Sequence, residues 1–401
     1  MKIAIIGAGA SGLLAGGFLS QEHDVTIFDK NEKCGKKLYI TGKGRCNLTN
    51  DCDEEKFLAN VVNGKKFMMS SIHAFPPKQI REFFEELGLP TKVERGGRVF
   101  PESDKSSDVI KVLQKFCQKC KIKLGEDVTD IDFEKDQNCF KIITAQRIYY
   151  FDRVIIATGG KSYSATGSTG DGYKFAKKFG HTIVDVKPAL VPIEVKDKFI
   201  KDLQGITLKN VTLKATIDGK KLEFFGELLF TDRGLTGPIA LSMSSYINRA
   251  EKVELSIDFK PALDENKLKE RCLRDIEANK NKSMSTFAGL FFPKAVGKVV
   301  LERLKIDGQK KVNSFTSKER QDFIEMTKNF KLSYGGLYPI ESAIITSGGV
   351  DTKQVNPKTM ESKLQPGLHL IGEVLDVDCL TGGYNLTTAF ATAYACAKNM
   401  K

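Results

Sequence analysis

Gly7, Gly9 and Gly12 stand at the spacing Gly-x-Gly-x-x-Gly, between an apolar run, Ile3 to Ile6, and a helix-compatible run, Leu13 to Leu19. A strand, a tight turn and a helix start in that order gather backbone N–H groups at the positive end of a helix dipole. That geometry cradles a pyrophosphate. Gly7 permits the turn, Gly9 lets the main chain approach the phosphates, and Gly12 lets helix and strand pack closely. A second apolar stretch, Val25-Thr-Ile-Phe28, ends on Asp29, 17 residues past Gly12. An acidic side chain there accepts hydrogen bonds from an adenosine ribose. At the far end, Leu370-Ile-Gly-Glu373 and Thr381-Gly-Gly-Tyr-Asn385 repeat the strand, glycine and helix texture. Both ends of the chain are therefore expected to serve one cofactor.

The elements that must position these residues are legible from periodicity. Residues 1–30 start a βαβ unit, followed by Thr41-Gly-Lys-Gly-Arg-Cys-Asn47, a basic glycine turn too poor in apolar residues for a core strand. Helical patterns cover Lys78 to Gly88 and Asp108 to Lys119, and alternating segments near 128–131, 140–143 and 148–151 predict a small antiparallel unit. Val154-Ile-Ile-Ala-Thr-Gly-Gly160 reads as a second buried strand, covered on both faces and ending on a glycine turn. The fold class is α/β. A cofactor domain of residues 1–188 and 334–401 is expected, interrupted by an inserted domain. Within the insert, 189–262 reads as a small antiparallel barrel or sandwich and 263–333 as helical.

Composition narrows the function classes. The 401 residues are too many for one ordinary core. No apolar run reaches the ~18 residues of a membrane helix, and the apolar start reads as strand and helix rather than a signal peptide. Nine scattered cysteines fit reduced thiols in a cytoplasm. The net charge of +12 raises nucleic acid as a partner. Residues 251–330, however, carry 17 basic and 13 acidic side chains, as a solvated helical face would. A small-molecule substrate is the expected partner, with neither nucleic acid nor membrane insertion. Cys117-Gln-Lys-Cys120 lies in a helical pattern away from the motifs, and no resident metal is expected.

Four stretches together resemble one family, the BaiN-type (YhiN-like) FAD-dependent oxidoreductases, also named aminoacetone-oxidase-family flavoproteins. They are Lys37 to Asn50; Ala157 to Tyr163 with Ala165 to Tyr173; Gly226 to Thr231 with Gly234 to Pro238; and Pro357 to Lys363 leading to Gly372 to Asp378 and Gly382 to Asn385. The resemblance implies non-covalent FAD in a Rossmann-like domain of the two-dinucleotide-binding type, with an inserted β-barrel and a helical subdomain. It implies that Gly7, Gly9, Ala10, Ser11 and Gly12 hold the pyrophosphate and Asp29 the ribose. Val128 would meet the adenine through its backbone, and Glu373, after Gly372, would lie by the ribityl or pyrophosphate segment. Lys30, Lys37, Gly44, Arg45, Cys46, Asn47, Ala157, Thr158 and Gly159 would line the cofactor. Gly383, Tyr384, Asn385 and Leu386 would open the last helix toward the flavin's pyrimidine edge. Electrostatics supports that placement, since a reduced flavin carries negative charge there and a helix N-terminus offers free N–H donors. The chain departs from the family at Asp232, where many members carry His, at Ser164, where Pro is common, and at Cys379, where Gly is frequent.

Flavin chemistry needs few protein groups, because the ring carries the hydride. Arg233, Thr346 and Tyr163 are the candidates for a supporting catalytic role, beside Asp232 and Lys161. Each has a plain alternative: Arg233 pairing with Asp232, Tyr163 packing under its loop, Thr346 serving as a strand residue. The expected reaction, by analogy with the family, is NAD(P)H-linked reduction of an activated C=C bond or its reverse, the nicotinamide visiting transiently. The alternatives are an O2-dependent amine oxidase, an FAD-dependent RNA-modifying protein and a flavin redox sensor.

Overall fold

The computed structural model describes residues 1–400 and divides into two compact units, 1–189 with 340–401, and 190–339. The first unit is built on a parallel sheet of five strands, in the order Leu368–Leu370, Arg153–Ile156, Lys2–Ile6, Asp24–Asp29, Lys121–Leu124. The central strand, burial pattern exposed then fully buried, is covered on both faces, as its unbroken Ile/Ala run requires. The first helix, Ala10–Leu19, has almost no polar face, because eight of its ten residues are buried. It packs against Tyr384–Asn399 and Ser106–Phe116. Gly17 makes that approach possible: a Cβ there would lie 2.0 Å from the Phe116 ring. The expected antiparallel unit is a three-stranded meander, Val128–Glu134, Cys139–Thr144, Ile148–Phe151.

Cys117 closes the helix Ser106–Phe116, and its thiol donates to Leu13 O at 2.8 Å. The Cys-x-x-Cys pair, distant from the glycine motif in sequence, therefore packs beneath the dinucleotide helix. All nine cysteines are free thiols. Among the described residues, no helix is long and apolar enough to cross a membrane.

The second unit carries a seven-stranded antiparallel sheet in the order Phe330–Leu332, Val253–Asp258, Thr207–Ile217, Lys220–Phe230, Gly234–Thr236, Ile193–Val195, Tyr334–Leu337. Its two edge strands are separated in sequence by Ser333 alone. One residue spans only about 4 Å, so the sheet curls until its edges meet. Asp197 holds that corner, accepting from Ser333 N at 2.6 Å. Two strands of this barrel follow the helices, so it is not confined to 189–262, and the unit continues through Tyr334–Leu337 to 339 rather than ending at 333. Nor do the helices of 263–333 stand apart. Phe287, Phe291, Phe292 and Phe323 share one core with Leu213, Leu255 and Phe330 of the sheet.

His369, in the sheet strand Leu368–Leu370, is 3% exposed, and its Nδ1 has no hydrogen-bond partner. Burial pushes it down to about 4, against the opposing pull of Glu361. The folded protein therefore resists a proton that the unfolded chain accepts below about pH 6.5. Stability contributed by this site is lost as pH falls from about 6.5 to 4, by about 3 kcal/mol in all, and is constant below that. Urea titrations across this range on wild type and His369→Leu are expected to differ in slope by about one proton.

Candidate functional site

The first strand ends at Gly7 in the middle of the parallel sheet, with a strand hydrogen-bonded on either side. In open α/β sheets the carboxyl edge of such a strand is where ligands bind. Gly7 adopts φ 113°, and a Cβ there would lie 2.4 Å from Ala157 O. At Gly12 a Cβ would lie 1.9 Å from Gly7 O. The helix makes its first internal bond from Leu13 N to Gly9 O, 3.0 Å. The N–H groups of Ala10, Ser11 and Gly12 precede it and have no acceptor within the helix. Gly9 is the contrast: nothing lies within 4 Å of its absent Cβ. Open space, three free donors and the positive end of a helix make a cradle that fits a pyrophosphate.

Asp29 ends the neighbouring strand, and its carboxylate accepts from Ala8 N and Asn31 N, both at 2.8 Å. It thus braces the glycine turn, with lone pairs left for a ribose hydroxyl. Val128 is drawn toward the same edge, because Glu126 N donates to Asp29 O at 3.1 Å. Lys30 turns to the loop that follows Gly159, bonding Thr169 and, at 2.5 Å, Asp171.

A polar network joins four segments remote in sequence. Lys37 Nζ donates to Ser162 Oγ at 2.8 Å and to Glu373 Oε2 at 2.6 Å. Glu373 Oε1 accepts from Thr346 N at 2.9 Å, and Thr346 Oγ1 accepts from Lys161 N at 2.8 Å and Ser162 N at 3.0 Å. Glu373 is thus held by protein groups on several sides. The network surrounds the turn after Ala157 and Thr158, where Gly159 adopts φ 73°. Gly372, at φ 73°, lies against Ser11, with 2.6 Å between its absent Cβ and Ser11 Oγ.

At the last helix, Gly383 adopts φ 100°, and a Cβ there would lie 2.3 Å from Thr49 O. The first bond into the helix runs from Thr387 N to Gly383 O at 3.1 Å, leaving Tyr384, Asn385 and Leu386 N–H groups ahead of it. Asn385 clasps the preceding loop, accepting from Cys379 N at 3.0 Å and donating to Cys379 O at 2.9 Å. Cys379 is buried in a short strand with ordinary backbone, so the departure from Gly is absorbed without a left-handed turn. Asn47, with its amide oxygen facing Gly383 N at 2.9 Å, ties the basic glycine turn to this helix end. Asn50 adds a bond to Gly382 O at 2.9 Å.

The turn's other residues are held by the protein in different ways. The Arg45 guanidinium is bound by Glu94 and by Asp104 (2.6 Å) and lies 4.2 Å over the Phe100 ring. It is thus engaged by two carboxylates and an aromatic face. Cys46 is fully buried at φ 61°, and burial pushes its thiol up to about 12, the mark of a space-filling residue. Gly44, at φ 85°, has open space around its absent Cβ.

Of the catalytic candidates, Thr346 is fully buried with its hydroxyl engaged as above, so it serves as a positioning strand residue. Arg233 lies in the second unit, where it pairs with Glu194 rather than Asp232 and sits 5.1 Å from the Tyr338 ring. Tyr163 adopts φ 53° at the head of the short helix Ser164–Thr166. Sequence reasoning passed over Ser162, Thr49 and Asn50. All three lie inside the motifs that carry the family resemblance, but nothing in the residue type of Ser162 announced its place in the network.

A family model, the HI0933-like protein Rossmann domain, matches residues 1–399. The 3-dehydro-bile acid delta(4,6)-reductase of Clostridium scindens is 31% identical, over 98% of this chain and 97% of its own. The ribosomal RNA dihydrouridine synthases of Haemophilus influenzae and Escherichia coli are 31% and 30% identical, over 98% and 99% of this chain and 96% and 97% of theirs. Among solved structures, the Escherichia coli quinol fumarate reductase FrdA matches in fold with a TM-score of 0.51 at 16% identity, covering 99% of this chain and 69% of that one. The chain belongs to the HI0933-like family and is a flavin-dependent oxidoreductase.

Two glycine substitutions separate folding from binding. Gly12→Ala drives a methyl into Gly7 O and is expected to destabilise the fold by about 3 kcal/mol or more. Gly9, at φ −86° with free space, should accept Ala within about 1 kcal/mol. FAD affinity, read by fluorescence quenching on refilling the apoprotein, is expected to fall at least tenfold in Gly9→Ala at unchanged Tm.

Proposed function

From its place in the HI0933-like family, we propose that this chain uses FAD to reduce a C=C bond conjugated to a carbonyl. One observation carries the reading. The relatives that match nearly the whole chain bear two activity names that share a single step. A delta(4,6)-reductase acting on a 3-dehydro steroid and a synthase of dihydrouridine each saturate a C=C bond that a carbonyl polarises.

The residues present fit the cofactor in order along the site. Gly7, Gly9, Ala10, Ser11 and Gly12 would hold the pyrophosphate, Asp29 and Val128 the adenosine, and Gly372 the middle, with Lys37 and Glu373 bracing it. Gly383, Tyr384, Asn385 and Leu386 would meet the flavin ring. A bound flavin supplies hydride transfer at N5. The chain's own part is orientation and charge: the N–H groups ahead of Thr387 lower the energy of negative charge on the ring's pyrimidine side. Tyr163 and Arg233, each in its own unit, remain the candidates for a supporting catalytic role. NAD(P)H is the proposed electron donor, meeting the flavin transiently, since the sequence holds one dinucleotide fingerprint. The nine free thiols support a reducing compartment, the cytoplasm.

A second reading keeps the chemistry and changes the substrate. A net charge of +12 and two relatives named for ribosomal RNA favour a uracil ring within RNA. The uracil C5=C6 bond is itself conjugated to a carbonyl.

The flavin band of the anaerobic protein should bleach on adding NADH or NADPH. It should return on adding either a steroid-type enone or a ribosomal RNA transcript, whichever is the substrate. Bleaching by amines with peroxide release in air, and none by either nucleotide, would overturn the reductase reading.

A further inference from the structure

Half of the chain's net charge lies in a short stretch of the second unit. Residues 280–311 hold eight basic side chains, Lys280, Lys282, Lys294, Lys298, Arg303, Lys305, Lys310 and Lys311, against Glu302 and Asp307 alone. The stretch is one hydrogen-bonded module. Met284 N donates to Lys310 O and Ser285 N to Gly308 O, both at 2.9 Å, and Val312 N to Lys282 O at 3.0 Å. Its apolar side is spent on the core: Phe287, Val296, Val299 and Val300 are buried. Of its exposed charged side chains, Lys280, Lys282, Lys294, Lys298, Lys305 and Lys311 are basic, against Glu302 and Asp307.

Most carboxylates nearby are already matched. Glu319 answers Lys310 at 2.6 Å, Glu277 answers Lys280 at 2.6 Å, and Asp307 accepts from Gln309 N at 2.9 Å. Glu302 meets Lys298 at 3.7 Å, a loose exposed pair. Lys282, Lys294 and Lys305 are exposed and have no carboxylate within 4 Å among the described residues, and Lys311 bonds only the Asn281 carbonyl. On the helix Lys294–Arg303, Lys294 and Lys298 stand one turn apart on the exposed side, with Lys305 just past its end. Like charges so placed repel one another, and a bound anion relieves that repulsion. A polymer with one negative charge per residue repays such a surface by releasing its own counterions.

We propose that the exposed face of residues 280–311 docks the phosphate backbone of the RNA whose uracil the flavin reduces. This rests on the RNA reading of the function. The face grips phosphates and carries no base specificity; selection of the uracil falls to the flavin site.

The test compares holoenzyme with two triple variants of equal net charge, Lys294→Glu/Lys298→Glu/Lys305→Glu and Lys65→Glu/Lys115→Glu/Lys135→Glu. The second set is exposed and lies in the first unit. Binding of a ribosomal RNA fragment is measured from 50 to 300 mM salt, with flavin content and Tm as checks on folding. The first triple is expected to lose at least tenfold in affinity at constant salt. Its plot of log K against log salt should be shallower by about 2 to 3, one unit or slightly less for each phosphate contact removed. The control triple should keep most of the wild-type slope. Equal losses in both triples would overturn the proposal while leaving the RNA reading intact. Absence of RNA binding by wild type would remove both. Retained RNA binding by the first triple, with loss only of binding to phosphatidylserine vesicles, would identify a membrane face instead and overturn the proposal.

Discussion

At three points of the candidate site the main chain passes so close to other main chain that no side chain fits between: Gly7 against Ala157 O, Gly12 against Gly7 O, and Gly383 against Thr49 O. These approaches decide the rest of the first unit. The first two set the head of the first helix against the carboxyl edge of the sheet; the third sets the head of the last helix against the basic glycine turn. Because no side chain intervenes, donors and dipole ends are fixed by covalent geometry rather than by rotamers. A site so built needs little reorganisation when charge arrives or develops in it. Side chains then brace the main chain: Asp29 holds Ala8 N, Asn385 holds Cys379, and Lys37 with Glu373 holds the turn after Ala157.

How far the sequence announced this follows from the kind of force involved. Local steric demands leave local signatures, so Gly7, Gly12 and the buried strands Ile3 to Ile6 and Val154 to Ile156 could be read directly. Asp29 was legible as well, because strand length and helix length fix its distance from the glycines. The Lys37, Ser162, Thr346 and Glu373 network was not, since its members are separated by 27 to 336 residues and meet only through topology. Nor were the protein partners of Arg45, since the fold brings Glu94 and Asp104 to it from a neighbouring hairpin and the turn that follows. Cys117 and Cys120, remote in sequence from the glycine motif, lie beneath it in space.

In the second unit the misreading was of continuity. The change from alternating to helical texture near residue 263 is real, yet the helices are an excursion between two strands of one sheet. Phe330–Leu332 and Tyr334–Leu337 return to close the barrel, and a single aromatic core spans both textures. Texture reports which element forms, not which core it joins. The same excursion carries an excess of six basic charges over 280–311, which an average over 251–330 dilutes with the acids of the flanking helices.

The packing of the helix Ala10–Leu19 on Tyr384–Asn399 also sets an order of events during synthesis. The earlier helix leaves the ribosome on the order of tens of seconds before its partner is made, at roughly 5–20 residues per second. For that interval its nearly all-apolar surface has no native cover, and on the proposed placement of FAD the cofactor has only half a seat. On that placement, loading follows translation of the far segment. A nascent chain stalled in the barrel would be a client for chaperones, however much vitamin the cell contained.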